Sequence, residues 1–147
     1  MKLTTFSEYS LRVLIYLAVR DDSLSTIGEI AEAYDISRNH LMKVVHNLGV
    51  LGYLETVRGK HGGVRLAMAP KDINIGALLR ETEDTSSLVE CFDRDQSRCT
   101  IDSACALRGI LQQALTGFFT VLDGYTLEDV LRNRKRLHKL LTSAEGG

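Results

Sequence analysis

Between Thr26 and Ala69 the apolar pattern changes period once, and that change constrains the fold more than any other feature of the chain. In "TIGEIAEAYDIS", Thr26 and Glu29 stand at capping-box spacing, Ile27, Ile30 and Ala31 follow at helical intervals, and Asp35 and Ile36 make a short turn. Ser37 is then placed to cap a further helix, "RNHLMKVVHNLGVLG". Its Leu41, Val44, Val45 and Leu48 form an apolar stripe, while Arg38, Asn39, Lys43 and Asn47 fall largely elsewhere. After Gly52 the helical period ends. "YLETV" and "VRLAMA" read as short strands joined through "RGKHGG". The pattern predicts a mainly α fold with a small β-hairpin wing: a helix-turn-helix pair with the hairpin directly behind its second helix. Gly62 and Gly63 are expected to supply positive φ in that hairpin.

The same window carries the charge. Residues 36–69 hold Arg38, Lys43, Arg58, Lys60 and Arg65 against Glu55 alone, a net +4 in a chain whose total is −1. A basic patch on a near-neutral protein is a local surface for a polyanion, and a solvated basic face is the plainer alternative. Hairpin geometry asks for no cations at its tip, whereas reaching a phosphate backbone or a narrow minor groove does. Double-stranded DNA is therefore the expected partner. Ser37, Arg38, Asn39, His40 and Lys43 would approach phosphates or base edges, and Arg58, Lys60 and His61 the minor groove or its walls.

Around this unit the helical period returns. "FSEYSLRVLIYLAVR" predicts a helix before it, ended by "DDSLS", and beyond Pro70 "INIGALLRETE" predicts one after it. From Leu107 to Leu122 the residues Leu107, Ile110, Leu111, Ala114, Leu115, Phe118, Phe119 and Leu122 keep the i, i+3, i+4, i+7 rule. Part of that stripe can cover the winged unit. The rest would be exposed in a monomer, so a partner helix in a two-fold homodimer is the expected cover, with a helix folded wholly onto its own domain as the alternative. "GYTLEDVL" reads as a turn and short helix and "RNRKRLHKLL" as a basic tail. The expected organisation is a winged helix-turn-helix at 1–70, a connecting helix and cysteine loop at 71–104, a long helix with a C-terminal helical segment at 105–141, and a flexible tail at 142–147.

All three cysteines fall in "ECFDRDQSRCTIDSACALRG", as Cys91, Cys99 and Cys105. Three cannot all pair within a chain, and Glu8 and Arg12 break up any secretory leader, so a reducing cytoplasm and free or metal-bound thiolates are expected. The longest apolar run is far too short to span a bilayer, and no membrane partner is expected. Spacing alone leaves an iron–sulfur cluster, zinc and redox thiols open. No nucleophile–base pair, phosphate loop or metalloprotease spacing points to an enzyme.

Several segments in order, "LTTFSEYSLRVLIYLA", "ISRNHLMKVVHNL", "VRGKHGGVRLA" and the three cysteines before a long helix, resemble the Rrf2 family of winged-helix iron–sulfur transcription regulators over residues 1 to about 141. The resemblance, nearest to the nitric-oxide-sensing members, implies a homodimeric repressor on a palindromic operator, with nitric oxide as signal. It implies one iron–sulfur cluster per subunit, 4Fe-4S in preference to 2Fe-2S, on Cys91, Cys99 and Cys105. In another branch a histidine stands three residues after the last cysteine; here that residue is Arg108. The sensing members instead imply a carboxylate from the partner's first helix, and Glu8 occupies that position. Some members carry Asp there, so the longer Glu shifts the geometry; an ordinary helix-end charge is the alternative. A regulator reporting cluster supply or redox stress, or a zinc or thiol sensor, is the competing function.

Overall fold

Thr4 starts the first helix because its hydroxyl accepts the Ser7 amide at 3.2 Å, satisfying one of the donors that a helix N-terminus leaves unpaired. In the computed structural model, which describes residues 1–21 and 23–143, this helix, α1, runs Thr5–Val19. The capping box closes in both directions: the Glu29 amide donates to Thr26 Oγ1 at 3.1 Å and the Thr26 amide to Glu29 Oε2 at 2.9 Å. It opens α2 (Ile27–Tyr34), which ends with Asp35 in the left-handed region at φ 53. Ser37 Oγ then accepts the His40 amide at 3.4 Å and α3 begins (Arg38–Val50).

The change of period lands where expected. β1 (Leu54–Val57) pairs antiparallel with β2 (Gly63–Leu66), in the register Leu54↔Leu66, Glu55↔Arg65, Thr56↔Val64, Val57↔Gly63. On its other side β2 is bridged by Ser25, whose amide donates to Val64 O at 3.0 Å and whose carbonyl accepts the Val64 amide at 2.8 Å. The glycines serve differently from expectation. Positive φ belongs to Gly52 (89°) and Gly59 (111°), not to Gly62 and Gly63. Those two are required for space: a Cβ would stand 2.1 Å from Val57 O at Gly62, and 2.6 Å from Ser25 O at Gly63. Backbone lies where a side chain would go.

The core is centred on α1. Val13, Leu14, Tyr16 and Leu17 are buried against Ile30, Leu41, Val44, Leu48 and Val64, and the same cluster continues into Ile73, Leu78 and Leu127. Each such side chain stabilises the fold by about 1.5–3 kcal/mol relative to exposure. α4 (Ile75–Thr82), capped by Asn74, packs on α1. The long helix is α5 (Ala106–Asp123), followed by α6 (Leu127–Val130) and α7 (Arg134–Ser143).

α5 is anchored at one end only. Near its C-terminus Phe119 is buried, the Arg80 guanidinium lies 4.7 Å from the Phe119 ring centre, and Arg80 grips both oxygens of Asp123. That grip holds the Asp123 carboxyl below its usual pKa and raises that of Arg80. Asn74 Nδ2 donates to Asp123 O at 2.8 Å, and a Cβ at Gly76 would overlap the Asp123 carboxylate. Towards the N-terminus Leu107 and Ile110 are 58% and 60% exposed. The basic segment falls within the expected C-terminal helical segment as the helix α7, which runs on through Thr142 and Ser143, placed in the flexible tail by the sequence. Leu141 is buried and Leu137 half-buried, and the helix packs on α1 and α2. Residues 144–147 of the expected flexible tail lie outside the described residues.

Candidate functional site

Two groups of side chains converge on the winged unit and on the loop behind it. On α3 the buried stripe Leu41, Val44, Val45 and Leu48 turns the opposite face outward, so Ser37, Arg38, Asn39, His40 and Lys43 are all exposed. The first turn of α3 is braced from two sides. His40 meets the Tyr9 ring of α1 edge-on, with centroids 5.0 Å apart. The Arg38 guanidinium lies along the first turn of α2, close enough that a Cβ at Gly28 would touch it at 3.4 Å. Tyr9 was not among the expected site residues; its helical spacing gives no sign that its ring reaches across to another helix.

At the hairpin tip Arg58, Lys60 and His61 are exposed, and the turn is closed by the Gly62 amide donating to Gly59 O at 3.0 Å. Arg65 differs from the other cations of the window. Its Nε donates to Glu55 Oε2 at 3.1 Å across the hairpin, so these two charges offset each other on the strands, while among the described residues Arg58 and Lys60 at the tip are in no ion pair. The basic surface is thus narrower than the sequence window.

The cysteine loop is built of turns. Residues Thr85–Leu88, Glu90–Phe92 and Asp102–Ala104 form single 3₁₀ turns, and no side chain caps the start of α5, where Cys105 is the N-cap residue. Cys91 and Cys105 are half-buried, Cys99 is exposed, and all three thiols are free. Polar contacts hold the loop in shape. The Arg98 amide donates to Glu90 Oε1 at 2.7 Å, the Ser97 amide to Asp93 O at 2.9 Å, and Arg108 Nη1 to Asp102 Oδ1 at 3.1 Å. Arg108 therefore turns back onto the loop and occupies the carboxylate of Asp102. Asp95 is exposed and donates its amide to Asp93 Oδ1 at 3.1 Å.

The start of the loop is tied to the start of α1. Glu83 Oε1 accepts both the Thr4 amide, at 2.6 Å, and the Thr4 hydroxyl, at 3.1 Å, while buried Ser7 donates to Thr82 Oγ1 at 2.8 Å. One turn further along α1, Glu8 is half-exposed and accepts from Arg12 Nη2 at 2.5 Å. Arg12 in turn lies 5.6 Å from the Tyr9 ring centre and 5.9 Å from that of Tyr34. Tyr34 donates its hydroxyl to Arg12 O at 2.9 Å, and burial pushes its pKa up to about 12.

The three thiols are a soft donor set within one short segment, which fits an iron–sulfur cluster or zinc. Among the described residues, however, no three His, Cys, Asp or Glu side chains are gathered closely enough to hold a metal ion. Cys91, Cys99 and Cys105 share one loop in sequence but are not closed on a centre. Glu8 is engaged with Arg12.

The family model described as "Rrf2: Iron-dependent Transcriptional regulator" matches residues 3–133. The HTH-type transcriptional regulator NsrR of Bacillus subtilis is 53% identical over 146 residues, covering 99% of this chain and 100% of that protein. Among solved structures, CymR, the global cysteine regulator of B. subtilis, matches with TM-score 0.66 at 27% identity over 88% of this chain and 95% of its own. T. potens IscR has TM-score 0.72 at 24% identity, over 90% of this chain and 88% of its own, a likeness of fold.

Proposed function

The chain belongs to the Rrf2 family of transcriptional regulators, and from that premise we propose that it is a cytoplasmic, homodimeric repressor that releases a palindromic operator in response to nitric oxide. The observation that carries this reading is the loop of three free thiols tied through Glu83 to the cap of α1, in a chain 53% identical to a regulator named NsrR. The protein is a regulator and not an enzyme. Residues 1–70 are assigned to DNA, 71–104 to the cluster, 105–141 to the dimer and 142–147 to the tail.

Cys91, Cys99 and Cys105 would hold one iron–sulfur cluster per subunit, 4Fe-4S in preference to 2Fe-2S, with Glu8 of the other subunit as the fourth donor. The chemistry such a cluster supplies is an iron carrying a hard, weakly held oxygen ligand and so accessible to a small ligand such as nitric oxide. This chain's residues do the rest. Glu8 has a second partner in Arg12, so the carboxylate has somewhere to go when it is not a donor. Arg12 faces Tyr9, and Tyr9 braces His40 on α3. A change at Glu8 is thereby passed to the recognition helix through three contacts. Two such helices must lie about 34–36 Å apart to enter successive major grooves, so a small rotation of each winged unit spoils joint binding. A coupling of about 1–3 kcal/mol corresponds to roughly a 5–150-fold change in affinity.

The exposed stripe of α5 around Leu107 and Ile110 supports a second copy as its cover. On DNA, Ser37 and the amides at the start of α3 would hold a phosphate, Arg38, Asn39, His40 and Lys43 would approach base edges, and Arg58, Lys60 and His61 the minor groove.

The test is the absorption spectrum and the iron and sulfide content of anaerobically purified protein, before and after nitric oxide, with operator binding followed alongside. Brown protein that bleaches and releases DNA is the expected result. Colourless protein with stoichiometric zinc overturns it in favour of a zinc or thiol sensor. A cluster that ignores nitric oxide but follows iron or oxidant supply favours the cluster-supply or redox reading.

A further inference from the structure

α7 carries charge that the fold does not use. Between residues 132 and 139 stand Arg132, Arg134, Lys135, Arg136 and Lys139, with no acid among them. Three of these cations fall in the first turn of α7, which holds no acidic residue. Cations at a helix N-terminus oppose the helix dipole, and Lys135 and Lys139, one turn apart on the same side, repel each other. Helix formation alone disfavours this arrangement.

One cation has a structural task. Arg134 Nη2 donates to the Ala18 carbonyl and to Asp21 at the end of α1, which pins the first turn of α7. Leu137 and Leu141, on the same side as Arg134, complete the seat on α1 and α2. At 100° per residue, Lys135, Arg136 and Lys139 then point away from that seat. All three are exposed, and among the described residues none is in an ion pair. The result is an ordered helix with a bare cationic outer face.

Its seat determines what that face can meet. In a helix-turn-helix complex the first helix of the pair crosses the phosphate backbone while the second lies in the major groove. Here the first helix is α2, and α7 is packed against it. We propose that the outer face of α7, Lys135, Arg136 and Lys139, is a third DNA-contacting element, which binds backbone phosphates flanking each operator half-site without reading sequence. Held by Arg134, this helix is an extension of the winged unit, separate from the recognition surface of α3 and the hairpin. The inference rests on the DNA-binding reading above.

The experiment uses the full chain, purified anaerobically. The probe is a duplex enriched from a random pool by the parent protein, made in two lengths: trimmed to the footprint, and extended by about one helical turn at each end. Affinity is measured across salt for the parent and for the triple variant Lys135→Gln, Arg136→Gln, Lys139→Gln. On the extended duplex the parent's slope of log Kobs against log salt is expected to be steeper than the variant's by about 0.9 for each phosphate neutralised, hence by about 2 for one contact per subunit. On the trimmed duplex the two proteins should agree more closely. The variant should also melt no lower than the parent, because it loses charges that oppose the dipole.

Equal slopes and affinities on both duplexes overturn the inference and leave the recognition surface standing; the face is then solvated or serves an acidic protein. A lower melting temperature in the variant overturns the claim that the fold does not need these charges. If the parent enriches no duplex at all, the DNA reading falls and this inference with it.

Discussion

The recognition surface and the cysteine loop are made by opposite means. α3 and the hairpin stand on fully buried Leu41, Val44 and Leu48 and on a ladder closed on both sides of β2, so their outward residues are positioned before any DNA arrives. The loop from Glu83 to Cys105 contributes no buried side chain and is shaped by hydrogen bonds among exposed and half-exposed groups. Such contacts are worth about 0.5–1.5 kcal/mol each against water and can be exchanged without unfolding a core. Under the proposed function that asymmetry suits a sensor: the surface proposed to read DNA is rigid, and the loop proposed to hold the cofactor can change state at low cost.

The largest effect should come from the loop and leave the core untouched. Changing Cys91, Cys99 or Cys105 to Ala is expected to abolish the stable cluster, read as loss of visible absorbance and iron, while the thermal transition of the apoprotein stays within about 0.5 kcal/mol of the parent. A lower apoprotein transition would make the loop part of the core and break the comparison. Leu14→Ala reverses the pattern. It removes a fully buried side chain from the centre of α1, and chemical denaturation should show a loss of about 2–5 kcal/mol.

A smaller effect is expected within the rigid region, where α2 meets α1. Tyr34→Phe deletes the hydrogen bond to Arg12 O and should cost about 1 kcal/mol at neutral pH. It also has a pH signature. The Tyr34 pKa is raised from 10.0 to about 12 in the folded protein, so its contribution is complete below pH 10. Above that the unfolded chain loses the proton first, and the contribution is lost as pH rises towards 12. The parent should therefore destabilise more steeply than Tyr34→Phe between those values, as followed by denaturation at alkaline pH. The smallest change is at the wing. Arg58→Ala should leave cluster and stability unchanged and lower the salt slope of operator binding by about one unit if the side chain meets only phosphate. Relaxed preference at particular base pairs would show that it reads the groove instead.

The Thr26–Glu29 capping box, the Ser37 cap, the end of the helical period at Gly52 and the stripe of α3 are all stated in the sequence, because each joins residues a few positions apart. These signals define the helix-turn-helix and the wing with its cations, and the separate Cys91, Cys99, Cys105 spacing places three thiols in one loop. Other features depend on residues that meet only after folding. Gly62 and Gly63 are glycines because Val57 and Ser25 backbone passes beside them, and Arg65 drops out of the basic surface because Glu55 lies opposite it in the register. Thr4 meets Glu83 across 79 residues and Arg134 meets Asp21 across 113. The second of these pins the basic C-terminal helical segment to the end of α1, a docking that the sequence does not state. Local pattern encodes what a neighbouring turn can satisfy; which distant group arrives to complete it is decided by the packing of the whole chain.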